Sequence, residues 1–502
     1  MANLKISFIT PEASPYIKTG GLADISGALP GLLSKMGHSV RLFLPLYRQI
    51  KGGFPNLVQL PVEFDCKIGE KVYRGEILAT KDSRSALEIL FIKNDHFFDR
   101  EEPYRDITTG KDYIDNDERF IFFSQAVLEA LKKLDWSPDI IHVHDWQASL
   151  IPAYLKTTYK DDIFFRDSRT ILTIHNLAYQ GQFSAGSFEK VGVDKELFAP
   201  AGPFEYWGKV NFLKAGIVYA DHLTTVSPTY AKEIQTTSDY GMGLEGVIRE
   251  RAEHLTGILN GVDYGVWSPK SDSLIPFRYF PANLSGKRKN KLDLLLKAGL
   301  PLRVEDPLVA MISRLDSQKG FDLIEEAMEG IMSLRLQFIM LGTGDKKYHD
   351  FFESVQAKYS DRFRVFLGFD NNLAHLIEAG ADVFLMPSRY EPCGLNQMYS
   401  LKYGTVPIVR RTGGLADTVL NFDEKTSRGT GVVFEKYDSA EMLEAVKRAI
   451  SLFGQKRIWH KIIKNGMRED FSWEKSSRRY EELYFGISVK SDKQSSSIIL
   501  GR

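Results

Sequence analysis

Cysteine is nearly absent from this chain: Cys66 and Cys393 are the two in 502 residues, and they lie far apart. A disulfide framework is thereby excluded as a source of stability, and a reducing compartment, the cytoplasm, is the expected setting. An excess of charge of either sign is missing too, since Lys+Arg and Asp+Glu stand at 65 each. No global basic field exists to collect nucleic acid, and no acidic excess points to disorder, so any partner must be recognised locally. Long apolar runs are also lacking; none approaches the roughly 18 residues that read as a membrane span. The opening MANLKISFITPE becomes strand-like by Leu4 without a basic and apolar leader or a small-residue cleavage site. A soluble, unprocessed protein with neither membrane nor nucleic acid as partner is the expectation.

What the chain does have is apolar bulk, 43% hydrophobic with 12% aromatic, enough to fill more than one core. Short β-branched runs recur between amphipathic stretches, the pattern of buried parallel strands in βαβ units. The first series is 4–10, 39–45, 87–93, 139–145, 169–175 and 222–227. The second is 257–261, 308–314, 336–342, 363–368, 383–388 and 406–411. Two doubly wound α/β domains of the Rossmann type account for this count better than one very wide sheet. A helical stretch at 243–254 separates them, which sets the expected domains at 1–255 and 256–470. A last helix follows at about 471–487, and a polar, serine-rich tail at 488–502 is expected to be loose.

The string TGGLAD occurs twice, in KTGGLADISGALP (18–30) and RTGGLADTV (411–419), each expected to follow a strand and open a helix. Paired glycines at a helix start leave backbone N–H groups beside the positive end of the helix dipole, a place for phosphate or sugar oxygens. A tight turn that needs glycine only for its backbone is the competing explanation. Duplication favours a shared ligand, with Gly20, Gly21 and Asp24 as candidate binding residues and Lys18 as a cation beside them.

In SRLDSQKGFD (313–322), Arg314 closes a strand and Lys319 precedes Gly320 and a helix. Two lasting cations there suit a diphosphate whose charge grows as a glycosidic bond breaks. SRYEPCGLNQ (388–397) places Glu391, Cys393, Gly394 and Asn396 after the strand VFLMPS; Glu391 suits sugar hydroxyls, and a helix-capping role competes with that. In HNLAYQGQF (175–183), His175 and Asn176 end a strand, followed by Tyr179 and Phe183, whose faces suit sugar rings or ordinary core packing.

HVHDW (142–146) sets His142, His144 and Asp145 together, but no third imidazole or thiolate cluster accompanies them in the sequence, so no metal is expected. Asp145, at a strand's carboxyl end, is the better functional candidate. Asp115 and Asp117 form a D-x-D before a helix, where capping and dipole roles explain them. LGTGDKK (341–347) lacks the third glycine of a dinucleotide fingerprint, which argues against a nicotinamide oxidoreductase. No cofactor is expected.

Taken together, KTGGLAD (18–24), HVHDW (142–146), HNLAYQG (175–181), ILNGVD (258–263), SRLDSQKG (313–320), EPCGLNQ (391–397) and TGGLADTV (412–419) resemble the glycogen and starch synthase family in order along nearly the whole chain. The resemblance implies a B-type glycosyltransferase fold, two Rossmann-like domains facing across a cleft that holds the active site, with the last helix crossing back to the first domain. It implies ADP-glucose as donor, glycogen or a maltooligosaccharide as acceptor at its nonreducing end, and retention of configuration. By the same resemblance Lys18 binds the donor, Arg314 and Lys319 hold the diphosphate, and Asp24, Asp145, His175, Asn176, Asn260 and Glu391 surround glucose and acceptor, with Cys393 and Gly394 at the same wall. Asn396 stands where the family usually has Thr, and Tyr399 stands where related transferases with a Glu-x7-Glu pair carry the second Glu. A transferase of the same fold using UDP-glucose or another acceptor, and a noncatalytic glucan-binding protein, are the alternatives.

Overall fold

A computed structural model of the chain describes residues 3–83 and 85–488. The expected loose tail lies, from residue 489 on, outside the described residues. The chain divides into two compact units, each with its own sheet. Among the described residues one comprises those through Val226, Ala231–Ile258 and 473–488; the other comprises Ser227–Tyr230 and Leu259–Ser472.

Among the described residues the first unit is built on β1 (Lys5–Ile9), β2 (Ser39–Pro45), β3 (Val58–Ile68), β4 (Lys71–Lys81), β5 (Glu88–Lys93), β6 (Ile140–His144) and β7 (Arg169–Ile174). A small sheet follows from β8 (Gln182–Phe183), β9 (Glu205–Tyr206) and β10 (Lys209–Asn211), before β11 (His222–Thr225) and β12 (Leu255–Gly257) rejoin the main one. The order of that main sheet is β12-β11-β7-β6-β1-β2-β5-β4-β3, parallel from β12 to β5, with β4 and β3 added antiparallel. Central strands are buried on both faces, as β6 shows throughout Ile140–His144, which is why they read as continuous apolar runs. β3 alternates exposed and buried residues because one of its faces meets water, and a search for continuous runs passes over it.

The second unit carries β13 (Leu308–Leu315), β14 (Gln337–Gly344), β15 (Phe363–Leu367), β16 (Val383–Met386), β17 (Val406–Arg410) and β18 (Val432–Phe434) in the parallel order β15-β14-β13-β16-β17-β18. Alternate residues of β13 enter different apolar clusters, Val309 and Met311 one, Leu308 and Ala310 the other. The sheet is therefore covered on both sides, the doubly wound arrangement. One expected strand moves: GILNG does not begin the second sheet, because Leu255–Gly257 pairs in parallel with β11 as an edge of the first.

The helix Trp473–Ile487 packs within the first unit. Tyr484 there hydrogen-bonds His142 Nδ1 at 2.8 Å, and Glu481 lies 3.0 Å from His38 Nε2. No helix among the described residues is long and apolar enough to cross a membrane.

Candidate active site

In α/β sheets ligands gather at the carboxyl ends of parallel strands. In the first unit β6 ends at His144 and β7 at Ile174, delivering Asp145, His175 and Asn176 to one edge. Asp145 adopts φ 53°, a left-handed conformation that Asp tolerates better than most residues, and its carboxylate accepts the His175 backbone N–H at 2.8 Å. Burial pushes the Asp145 carboxyl up to about 7, against the lowering effect of the His175 and Asn176 amides, with nearby Glu12 adding repulsion. His175 is held down to about 3 by burial.

The sequence shows no third imidazole near HVHDW, and the fold corrects that: His175 Nε2 lies 2.9 Å from His144 Nδ1. Burial, their largest influence, pushes both His142 and His144 well below the usual histidine range. The nitrogens of His142 go to Tyr484 and to Thr173 Oγ1 (2.6 Å), while His144 Nδ1 meets His175 Nε2 and His144 Nε2 is buried without a hydrogen-bond partner among the described residues. No group of three or more metal-ligating side chains exists among the described residues. The D-x-D pair is engaged in ion pairs, Asp115 with Arg100 and Asp117 with Lys190 at 2.8 Å. Asp115 stands at the N-cap of the helix Asn116–Lys133 without making a capping hydrogen bond, so the expected capping role is replaced by the Arg100 pair.

The two TGGLAD copies differ. The first opens the helix Gly21–Lys35 only after eleven residues of loop from β1, not directly from a strand. Its expected unpaired amides are in part taken: Glu12, which sequence reasoning missed, accepts Thr19 N–H and Oγ1–H, each at 2.6 Å, and Gly20 N–H at 3.3 Å. Tyr104 donates to the same carboxylate at 2.8 Å. Lys18 Nζ reaches Asp24 at 2.7 and 2.9 Å on the exposed rim, and a Cβ added to Gly20 would meet nothing within 4 Å. In the second copy, two residues after β17, Gly413 has φ 43° and a Cβ there would collide with Glu391 O, while one on Gly414 would collide with Cys393 O. Those glycines answer to backbone packing, and Asp417 holds Thr229 through its N–H (2.9 Å) and Oγ1 (2.6 Å).

In the second unit, Lys319 Nζ sits 2.7 Å and 3.0 Å from the two oxygens of buried Glu391, which also accepts from Ser388 Oγ at 2.9 Å. Lys319 reaches it because Gly320, φ 76°, packs against Pro387 O with no room for a side chain. Glu391 caps nothing: the next helix, Asn396–Tyr403, has Leu395 as N-cap. Arg314, at the carboxyl end of β13, is more than half exposed and 3.4 Å from Asp316. Cys393 is buried; burial pushes its thiol up to about 12 although the Asn260 backbone and side chain hydrogen-bond it. Asn260 Oδ1 is buried without a partner among the described residues. Asn396 Nδ2 donates to Ile312 O at 2.7 Å, fixing the start of its helix on β13, and Gly394 holds φ 71°. Phe369, 88% exposed one residue after Gly368, which is tied to Gly342 O at 2.9 Å, adds an aromatic face at the carboxyl ends of β14 and β15. In the sequence its only mark is an aromatic directly after the strand-end glycine Gly368; its exposure is visible only in the fold.

Each unit thus carries a sheet, parallel throughout in the second and from β12 to β5 in the first, with cations, carboxylates and amides at its strand ends. Residues 5–250 match the family model described as starch synthase catalytic domain, and residues 295–466 that of glycosyl transferases group 1. The chain is a glycosyltransferase of the B-type fold. It is 45% identical to a glycogen synthase of Koribacter versatilis over 96% of this chain and 98% of that one, and 42% identical to a glycogen synthase of Thermodesulfovibrio yellowstonii over 99% and 100%. The catalytic domain of starch synthase IV from Arabidopsis thaliana, solved with ADP and acarbose, superposes with a TM-score of 0.86 at 33% identity, covering 96% of this chain and 99% of that one. Sucrose-phosphate synthase from Thermosynechococcus elongatus shares the fold, with a TM-score of 0.60 at 17% identity over 96% and 98%. The chain belongs to the glycogen synthase family.

Proposed function

We propose that the enzyme transfers glucose from ADP-glucose to the nonreducing end of an α-1,4-glucan, elongating glycogen in the cytoplasm with retention of configuration. The observation that carries the chemistry is the buried Lys319–Glu391 pair at the strand ends of the second unit. A lysine held in place by a buried carboxylate, with Arg314 on the same strand-to-helix transition, neutralises a departing diphosphate better than solvent does, because the positive charge is already positioned. Glu391, Cys393, Gly394, Asn396 and Asn260 are the proposed wall for the donor, with the unpartnered Asn260 Oδ1 available to a sugar hydroxyl. Phe369 offers its face to the base. In the first unit we assign Lys18, Gly20 and Gly21 to the donor, and Asp24, Asp145, His175 and Asn176 to the glucose and acceptor. The domain limits 1–255 and 256–470, with a helix at 471–487, are proposed as the functional division of the chain.

In this mechanism the bond from glucose C1 to the diphosphate oxygen breaks while the acceptor O4 bonds to C1 on the same face. The O4 proton passes to the departing phosphate oxygen, and no protein nucleophile is required. Trapping of a covalent glucosyl-enzyme would refute that route. ADP in the starch synthase IV structure and two glycogen synthases as near relatives favour the adenine donor. Incorporation of labelled glucose into glycogen, with ADP-glucose and UDP-glucose in competition, tests the function, and preference for UDP-glucose overturns it; normal synthesis by a Lys18→Ala, Arg314→Ala double variant overturns the site assignment.

A further inference from the structure

Two positive-φ residues, Trp207 at 50° and Gly208 at 77°, form the whole turn between β9 and β10. Such a turn favours Asn-Gly, and a bulky aromatic in the left-handed region is strained. Packing does not repay that strain, because Trp207 is 87% exposed. The hairpin beneath it is nonetheless rigid. Glu205 accepts Gly208 N–H at 2.8 Å and Ala201 N–H at 3.0 Å, and Tyr206 donates to Met242 O at 3.0 Å. A side chain on Gly243 would collide with the Tyr206 hydroxyl, so that anchor is also tightly packed.

Met242 O is shared: Gln180 Nε2 donates to it at 3.0 Å, and Gln180 Oε1 accepts from Asn211 of β10 at 2.7 Å. Gln180 follows Tyr179, itself 45% exposed, on the loop that leaves His175 and Asn176. One anchor therefore fixes both the loop leaving the proposed acceptor residues and the hairpin that carries the strained tryptophan. A flat, rigid, solvent-facing indole without a neighbouring charge requirement suits the C–H face of a pyranose ring, which is neutral and presents its hydroxyls sideways to water.

We infer that Trp207, with Tyr179 beside its anchor, is a glucan-stacking platform that retains a long α-glucan acceptor beyond the sugar being extended, an inference that rests on the glucan-elongating function proposed above. The platform governs affinity for polymer, while the reaction on a short acceptor proceeds without it.

The test compares the full chain with its Trp207→Asn and Trp207→Tyr variants in glycogen-containing native gels without donor, and in transfer of glucose to glycogen and to maltotriose. Asn suits the turn, so the melting temperature of Trp207→Asn is expected to hold or rise, which separates lost binding from lost folding. Trp207→Asn is expected to bind glycogen about three- to tenfold more weakly, with a matching rise in KM for glycogen, unchanged kinetics on maltotriose, and recovery in Trp207→Tyr. Unchanged retention on glycogen overturns the inference, as does an equal loss on maltotriose. A dimer in gel filtration that Trp207→Asn converts to monomer also overturns it, by making Trp207 a subunit contact. Wild-type protein that is retained by glycogen but transfers no glucose to either acceptor would instead strike the proposed function and leave the platform standing.

Discussion

Lys319 Nζ lies 2.7 Å from Glu391 Oε2, joining the start of one helix in the second unit to the loop that follows β16. The pair is mostly buried, with side-chain exposures of 18% and 7%, so neither charge is screened well by water. If Lys319 stabilises the departing diphosphate, Lys319→Ala lowers kcat by about 10²- to 10³-fold, the usual cost of removing one preorganised group. The melting temperature falls as well, because Glu391 is left as a buried, unpaired carboxylate. Initial rates with saturating ADP-glucose and glycogen check this; a kcat within threefold of wild type refutes the role.

Asp145 gives a pH-dependent stability whose sign follows from burial. Its carboxyl titrates near 7 in the folded chain against 3.8 as the ordinary value. The folded state therefore holds a proton that the unfolded chain has lost, and the stability this contributes is present below about pH 4 and disappears as pH rises through 7. Asp145→Asn, which suits φ 53°, removes the term. Urea unfolding from pH 5 to 7.5 is expected to show the variant gaining on wild type by up to about 1.4 kcal/mol per pH unit, while glucosyl transfer falls. A stability difference that does not change with pH disproves the assignment.

The two glycine pairs separate by substitution. Gly414→Ala forces a methyl group into Cys393 O and is expected to destabilise the chain by about 1–3 kcal/mol. Gly20→Ala meets open space in an extended conformation and is expected to leave the melting temperature unchanged while weakening donor binding. Calorimetry together with ADP titration distinguishes the two; equal destabilisation would show that both pairs serve packing.

Neither thiol is expected to react in the folded protein. Cys393 is buried with its thiol pushed up to about 12, and Cys66 is buried and pushed higher still, so the thiolate that attacks an electrophile is scarce at pH 8. Iodoacetamide labelling followed by mass spectrometry should find both unmodified until denaturant is added, with activity retained; rapid labelling of Cys393 in the native chain contradicts the packing described.

Much of the fold is legible in the chain because strands buried on both faces must be apolar throughout; β2 spans the residues its run marks, 39–45. β3 and β4 escape because a half-exposed hairpin alternates instead. GILNG (257–261) is apolar enough for a strand, but the strand that forms is Leu255–Gly257, which overlaps it only at Gly257 and pairs with β11 in the first sheet. Glu12 escapes for a similar reason: a lone glutamate seven residues before Thr19 carries no local mark of the three hydrogen bonds it accepts from the glycine turn.

Sequence alone determined which residue types stand at strand ends, since periodicity places the strands and the motifs follow directly after them. It also determined the family resemblance that near full-length identity bears out. Only tertiary structure decided what identical letters do. One TGGLAD keeps Gly20 in open space, whereas the other presses its glycines on the backbone of Glu391 and Cys393. His175 becomes the third imidazole beside His142 and His144, although it lies 31 residues beyond His144 in sequence. The reason is physical: a strand forms from local burial pattern, but the partner of a carboxylate or a ring nitrogen is whichever group the folded chain brings within about 3 Å.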